Sequence, residues 1–416
     1  NSGNQIAVTD ENGVITRIYY DANNRAVTVV NNLQNWNIGT ENPPDRDLQN
    51  PTQNIRTDTV YDLNGNVIGT INPAGILTRT YYDSRNRPIA IVNNSTDTEF
   101  LTTEPPTYLP EFPDQNIVQK MVYDPVGNQI ATIDPLGIIT RTYYDPVNRP
   151  EYTVQNLTGQ DISVGTPPEY DPAYPDQNIQ TQTVYDGNGN IIATIDTVGH
   201  VTRTYFNDLD QAVTVIQNLV SPPYSELNPP SSLSPAPDKD IRTDYYYDDA
   251  GNQIAVVDPY GIITRTYYDN LNRPVVVVQN LVGDEGIPMD ELIENETFPP
   301  FDPLFPDRNI HTETRYNEDG QAIATIDNSG IISRMYFDAL ERNYAAVRNL
   351  VSALPIEDPT LPVFDPTFPD QNILSQTIFD ASGLAIARIA NDGKINRTYY
   401  DKLNRPIVAV DNLTNW

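Results

Sequence analysis

Apolar and polar residues alternate along this chain in short runs, a period of two that places successive side chains on opposite faces of a strand. Ile55-Arg56-Thr57-Asp58-Thr59-Val60-Tyr61 is one such run, rich in the β-branched residues that suit a pleated surface. The turn Asp62-Leu63-Asn64-Gly65-Asn66 ends it, and Gly65 supplies the positive φ that a tight hairpin needs. A second run spans Val67 to Ile71 and stops at Asn72-Pro73-Ala74-Gly75. A third spans Ile76 to Tyr82 and stops at Asp83-Ser84-Arg85-Asn86-Arg87-Pro88, and a fourth covers Ile89 to Val92. Four short strands joined by tight turns predict an antiparallel meander. Apolar residues nowhere recur at helical spacing over the length of a helix, so the chain reads as all-β with little or no helix.

The meander repeats. An aromatic pair followed by Asp or Asn closes the third strand at Asp21, Asp83, Asp145, Asn207, Asp269, Asp338 and Asp401, in steps of 62, 62, 62, 62, 69 and 63 residues. A second anchor, such as Tyr61-Asp62 or Tyr185-Asp186, stands 21 residues ahead of the first in every complete repeat. Self-similarity at a fixed period marks a tandem array of one supersecondary unit. Its repeats occupy residues 1–36, which are incomplete, and then 54–95, 116–157, 178–219, 240–281, 309–350 and 372–416. Pro-rich connectors fill 37–53, 96–115, 158–177, 220–239, 282–308 and 351–371, and all variation in length falls in them. Lengthening a connector from 22 to 29 residues costs only about 0.2 kcal/mol of closure entropy. One residue added inside a strand turns every following side chain over.

Pro43-Pro44, Pro105-Pro106, Pro167-Pro168 and Pro229-Pro230 keep the 62-residue step. A flexible linker has no reason to hold register, so the connectors are expected to be ordered, polyproline-like straps lying on the sheet. Their aromatic residues, Tyr108, Phe112, Tyr170, Tyr174, Phe301, Phe305, Phe364 and Phe368, are expected to be the buried pegs. About 27 strands at ~4.8 Å each would make a sheet ~130 Å wide, beyond what a flat open sheet sustains. The expected architecture is therefore an open rod-like or coiled array of four-stranded units, with a β-propeller as the alternative.

Charge narrows the partners. The 25 Lys and Arg stand against 56 Asp and Glu, a net charge of −31, which repels nucleic acid. No apolar run approaches the ~20 residues needed to insert a helix into a membrane. With no cysteine the chain has neither disulfides nor thiolate metal sites. It opens on Asn1 without a signal peptide, as a mature or trimmed fragment would.

The anchors Tyr-Asp-x-x-Gly-Asn and Thr-Arg-Thr-Tyr-Tyr-Asp-x-x-Asn-Arg-Pro, as in Tyr61–Asn66 and Thr78–Pro88, resemble the YD repeats of the Rhs family. The 21-residue step within each repeat is similar to that family's unit, and three such steps approximate the 62-residue period, the strap standing for the third. The resemblance implies a spiral of β-hairpins that serves as structure. Family members include toxin-enclosing shells, the cocoon component of insecticidal toxin complexes, the teneurin adhesion proteins and wall-associated proteins. The sequence departs from the pattern of the toxin shells in that no self-cleaving core segment and no trailing toxin domain are recognisable in it, which counts against the expectation of an encapsulating role.

Candidate chemistry is sparse, and no cofactor and no catalytic group is expected. Arg17, Arg79, Arg141, Arg203, Arg265, Arg334 and Arg397 precede the aromatic pair in all seven repeats. Together with Tyr82, Tyr144, Tyr268 and Tyr400 they read as a structural ladder, the arginines pairing with turn aspartates of neighbouring strands. Of Tyr81 and Tyr82, one is expected in the core and the other outside it. Arg25, Arg87, Arg149, Arg273, Arg342 and Arg405 recur in the next turn, with Gln211 in the remaining repeat, and read the same way. Asp62, Asn64, Asn66 and Asp186, Asn188, Asn190 place oxygens at alternate positions as calcium loops do, but no bidentate acid follows, so a hairpin turn is the favoured reading and a metal the weaker one. His200 and His311 stand in unlike contexts, against a shared histidine site. Asn93, Asn94, Asn156, Asn295, Asn396 and Asn412 lie in glycosylation triplets, which leaves glycan attachment or binding open.

Asn1-Ser2-Gly3-Asn4 matches the first turn of a repeat, and Asn412-Leu413-Thr414-Asn415-Trp416 matches Asn32-Leu33-Gln34-Asn35-Trp36. The chain thus resembles a window of a longer array whose partners are further repeats or copies of itself. The expected function is a secreted or surface-exposed structural protein that builds an extracellular fibre, filament or sheath. A toxin-enclosing shell and an adhesive module are the alternatives.

Overall fold

The computed structural model describes residues 4–9, 14–46, 52–100, 102–220, 227–230, 236–283, 287–380, 383–400 and 406–413. Outside them lie Asn1 to Gly3, the turn residues Asp401 and Arg405, and the final Thr414 to Trp416. The chain forms two compact halves, residues 1–199 and 200–416. The 27 described strands belong to one sheet and pair antiparallel in chain order, and no described pairing closes it on itself. The architecture is all-β, a tandem array of four-stranded meanders.

One repeat shows the construction. Ile55–Tyr61, Val67–Ile71, Leu77–Tyr82 and Pro88–Asn93 form its four strands, with Asp58 opposite Ile71, Gly69 opposite Arg79, and Arg79 opposite Val92. The fourth strand then pairs with the first strand of the next repeat, Asn93 opposite Ile117. The same junction joins Asn31 to Ile55, Gln155 to Ile179, Gln217 to Ile241, Gln279 to Ile310 and Arg348 to Ile373. Propeller blades do not hydrogen-bond to their neighbours in this way. This continuity therefore decides against the propeller.

Each connector is consequently a long hairpin loop, and its base is clipped. Asn94 Nδ2 donates to the Asp114 carbonyl at 2.6 Å, and Asn116 Oδ1 accepts from the Thr96 amide at 2.9 Å. The Asn116 amide donates to the Asn94 carbonyl at 3.0 Å. Both asparagines are left-handed, at φ of 48° and 47°, a conformation that asparagine tolerates better than other residues with a Cβ. The pair recurs as Asn32/Asn54, Asn156/Asn178, Asn218/Asp240, Asn280/Asn309 and Asn349/Asn372. A strap closed at its base can change length without disturbing the strands, which explains why the insertions fall there.

The core lies where straps meet the sheet. Tyr81, Ala90, Val92 and Val118 form one buried cluster with Ile89 and Tyr108 packed against it, and Tyr143, Val154 and Leu157 form another with Ile139, Tyr152 and Ile162. Val30, Val92, Val154, Ile216, Val278 and Val347 are all fully buried at one repeat position.

One sequence expectation about the straps needs correction. Of the strap aromatics, Tyr108, Tyr170, Phe301 and Phe364 are half-buried, but Phe112, Tyr174, Phe305 and Phe368 are exposed. The second of each pair ends a tight turn, Tyr174 donating its amide to the Asp171 carbonyl, and the turn points its ring outward. Aliphatic residues such as Ile38 and Ile162 serve as pegs instead. The strap with seven extra residues carries the one helix among the described residues, the six-residue turn Met289–Glu294 with its own Ile293 buried, in keeping with a chain expected to hold little or no helix.

Candidate functional site

The strap slot is the most repeated site. Arg141 lies in the third strand with its guanidinium buried under the strap. It donates from Nε to the Ile162 carbonyl at 2.9 Å and from Nη1 to the Ile130 carbonyl at 3.0 Å. Arg17 reaches Ile38 in this way at 2.8 Å, Arg265 reaches Ile293 at 2.6 Å and Arg334 reaches Ile356 at 2.6 Å. Arg79 pairs with Asp97 of its strap, while Arg203 and Arg397 occupy the same register position. Each guanidinium also covers the ring two residues on, from 4.3 Å for Arg203 over Tyr205 to 4.9 Å for Arg397 over Tyr399. Arg17, Arg141, Arg265 and Arg334 thus bind strap carbonyls where turn aspartates were expected. The reason is reach: their strand position faces the covered side of the sheet, while the turn aspartates sit at its edge. Burial holds the Arg141, Arg265 and Arg334 guanidinium pKa values below their usual range, partly offset by the tyrosine beside each.

The aromatic pair divides as the alternation requires. Tyr81 is buried, as are Tyr19, Tyr143, Tyr205, Tyr267 and Tyr336. The strand register shifts between Tyr81 and Tyr82, a bulge that re-aims the second ring toward the sheet edge. Tyr82 then donates its hydroxyl to the Val67 carbonyl at 3.1 Å, Tyr144 to Gln129 at 3.0 Å, Tyr268 to Gln253 at 3.1 Å and Tyr400 to Ala385 at 3.0 Å. The first-strand tyrosines act alike, Tyr61 donating to Ala26 at 3.1 Å and Tyr123 to Pro88 at 3.0 Å. Each tyrosine so placed ties its turn to the start of the preceding strand. Burial raises the pKa of Tyr82, Tyr144 and Tyr268.

The aspartate that follows organises the turn. Asp62 Oδ1 accepts the amides of Asn64 and Asn66 at 2.9 and 2.8 Å, and Oδ2 accepts Asn66 Nδ2 at 2.8 Å. Asp186 holds Asn188 and Asn190 in the same way. Partial burial pushes each carboxyl up, and the donors from Asn66 and Asn190 outweigh it, leaving both pKa values below the carboxylate norm. The carboxylates among the calcium candidates thus already have donors of their own turn. Among the described residues, no group of three or more acidic or histidine side chains is placed to hold a metal. In the other turn class Asp83 accepts the Arg87 amide at 3.0 Å and its Nε at 2.8 Å, and the Arg87 guanidinium covers Tyr123 of the next repeat at 4.5 Å.

No family model and no curated protein matches this sequence. Solved structures do. A chain in the crystal structure of TcdB2-TccC3-Cdc42 aligns with a TM-score of 0.53 at 13% identity, over 97% of this chain and 19% of that one. TcdB2-TccC3 without its hypervariable C-terminal region, and a mutant Photorhabdus luminescens Tc holotoxin pore, each align with a TM-score of 0.53 at 12% identity over the same shares. The chain has a YD-repeat-like fold. It spans about a fifth of the length of those chains, and the likeness is one of fold.

The remaining candidates are scattered. The His311 ring lies 5.4 Å from that of Phe298 beneath the longest strap, while His200 stands at the start of the second half. Of the glycosylation triplets, Asn94 and Asn156 use their amide nitrogens as strap clips, donating to the Asp114 and Asp176 carbonyls. Among the described residues no helix is long and apolar enough to cross a membrane. Sequence reading missed the clip asparagines altogether. Their signal was an Asn at each foot of nearly every connector.

Proposed function

We propose that this chain is a non-enzymatic structural repeat protein, a length of β-wall in an extracellular assembly that continues through further YD-repeat-like structure. The observation that carries this reading is the junction by which the fourth strand of one repeat pairs with the first strand of the next, Asn93 opposite Ile117, Gln279 opposite Ile310 and Arg348 opposite Ile373, so that strand pairing passes from repeat to repeat without a break in between. The finer form of the proposal is a fibre, filament or sheath. The fold shared with TcdB2-TccC3 favours a second reading, in which the chain is part of the wall of a toxin-enclosing shell. Electron microscopy of the purified protein, with sedimentation across a concentration series, separates the two. Filaments support the first reading and closed hollow particles the second. A stable monomer at every concentration, with slowly exchanging amides from Gln5 to Val8, counts against both.

A further inference from the structure

Five glycosylation triplets lie wholly within the described residues, beginning at Asn93, Asn94, Asn156, Asn295 and Asn396. Four of them are built into the sheet. Asn93 is laddered to Ile117, and Asn396 and Thr398 are laddered to Arg388 and Ala409. In the other two the middle residue donates its amide to the adjacent strand, Ser95 to the Leu77 carbonyl at 2.8 Å and Leu157 to the Ile139 carbonyl at 2.9 Å. Their hydroxyl residues are turned to partners across the foot of the strap, Thr96 to Asn116 Oδ1 at 3.2 Å and Thr158 to Gln177 Oε1 at 3.0 Å. An enzyme that grips such a triplet along its backbone must first peel it from the sheet.

Asn295 stands apart from the sheet. It follows the helical turn Met289–Glu294 in the longest strap, with extended backbone at φ −63° and ψ 125°, and Asn295, Glu296 and Thr297 are all exposed. The triplet folds back on itself as a local Asx turn, Asn295 Oδ1 accepting the Thr297 amide at 2.9 Å and the Thr297 hydroxyl at 2.9 Å. The hydroxyl that completes the triplet thus meets its own asparagine. Both bonds fall on the carboxamide oxygen and neither occupies Nδ2. Two donors there stabilise negative charge on the oxygen and make an Nδ2 proton easier to remove.

We propose that Asn295 is an N-glycan acceptor in the folded chain, taking an oligosaccharide from a polyprenyl diphosphate donor. A bond forms between Nδ2 and the anomeric carbon, the bond from that carbon to the diphosphate breaks with its electron pair leaving on the diphosphate, and one Nδ2 proton passes to a base of the transferase. The second Nδ2 proton stays. Donors of this class meet proteins that are being exported, so Asn295 encounters one in the cell only if the extracellular reading holds.

The test uses purified components and the whole folded chain. The chain is incubated with a single-subunit oligosaccharyltransferase that requires only the Asn-x-Ser/Thr triplet, together with a polyprenyl diphosphate oligosaccharide, and peptide mass spectrometry follows the occupancy of each triplet. Asn295 should fill at least roughly tenfold faster than Asn93, Asn94, Asn156 and Asn396, each of which needs local opening first. Synthetic peptides carrying the five triplets should show no preference for the Asn295 triplet, because the sheet no longer protects the other four. None of these outcomes depends on where the chain resides, so a failure here leaves the extracellular assembly to be judged by microscopy. The proposal fails if Asn295 stays empty in the folded chain, if one of the other four fills as fast, or if the peptides keep the preference of the folded chain.

Discussion

At the scale of the residue, the repeated asparagines and aspartates act through hydrogen bonds that only their short side chains can make. Asn156 is the plainest case, left-handed at φ 50° and donating to the Asp176 carbonyl at 2.7 Å. Asn156→Ala removes the donor and strains the backbone, and should cost about 1–2 kcal/mol locally. Asn156→Gly relieves the strain alone and should recover part of that loss. Hydrogen exchange within residues 157–178 measures both. The turn aspartates set the response to acid. Hydrogen bonds from the Arg25 and Arg87 backbones, and then from their side chains, hold Asp21 and Asp83 below the ordinary carboxylate value, and Asp145 and Asp269 are held likewise. A depressed folded pKa means that the unfolded chain takes up protons first, so stability rises with pH across that window. The melting temperature should therefore be level from neutrality down to about pH 5 and fall as the pH drops below about 4. A melting temperature that rises on acidification through that range would contradict this account.

At the scale of the element, a strap and a strand respond differently to the same change. The strap after Leu281 already carries extra residues and stays clipped, Asn280 to Asp307 at 2.7 Å. Inserting a Gly-Ser segment of the same added length between Val164 and Gly165 should change stability by only a few tenths of a kcal/mol. A single residue inserted between Thr142 and Tyr143 would shift the face of Tyr143 and break the pairing with Tyr152, and should unfold that repeat. Chemical denaturation of the two variants tests the contrast. Limited proteolysis of the natural chain should leave the strap between Leu157 and Ile179 uncut while its clips and the Arg141 contact with Ile162 hold.

At the scale of the whole molecule, each repeat touches its sequence neighbours through a strand junction and its own strap, and stability is expected to be lost locally. Val8 pairs with Thr16 in the first described hairpin. Val8→Pro should shorten or abolish any fibres and leave the circular dichroism of the interior strands nearly unchanged. Fibres of normal length from this variant would remove the strand Ala7–Thr9 from the assembly proposal.

What the sequence determined by itself is local and periodic. The strands, their tight turns and the place where insertions are tolerated all follow from alternation, turn residues and a spacing that repeats, because each is set within a few tens of residues. The pair Tyr81-Tyr82 announced one ring inside and one outside; Tyr81 is inside because it shares with Leu77 and Arg79 the face that the strap covers, and the bulge after it re-aims only Tyr82. The ladder arginines announced a common partner. That the partner is a carbonyl some twenty residues on, Ile162 for Arg141, depended on the path of the strap. Phe112 and Tyr174 looked like pegs from composition, yet the turns they end carry them outward. Alternation assigns side chains to two faces and cannot say which face will be covered. The cover arrives from a distant segment, and the energy of packing against it belongs to the tertiary structure alone.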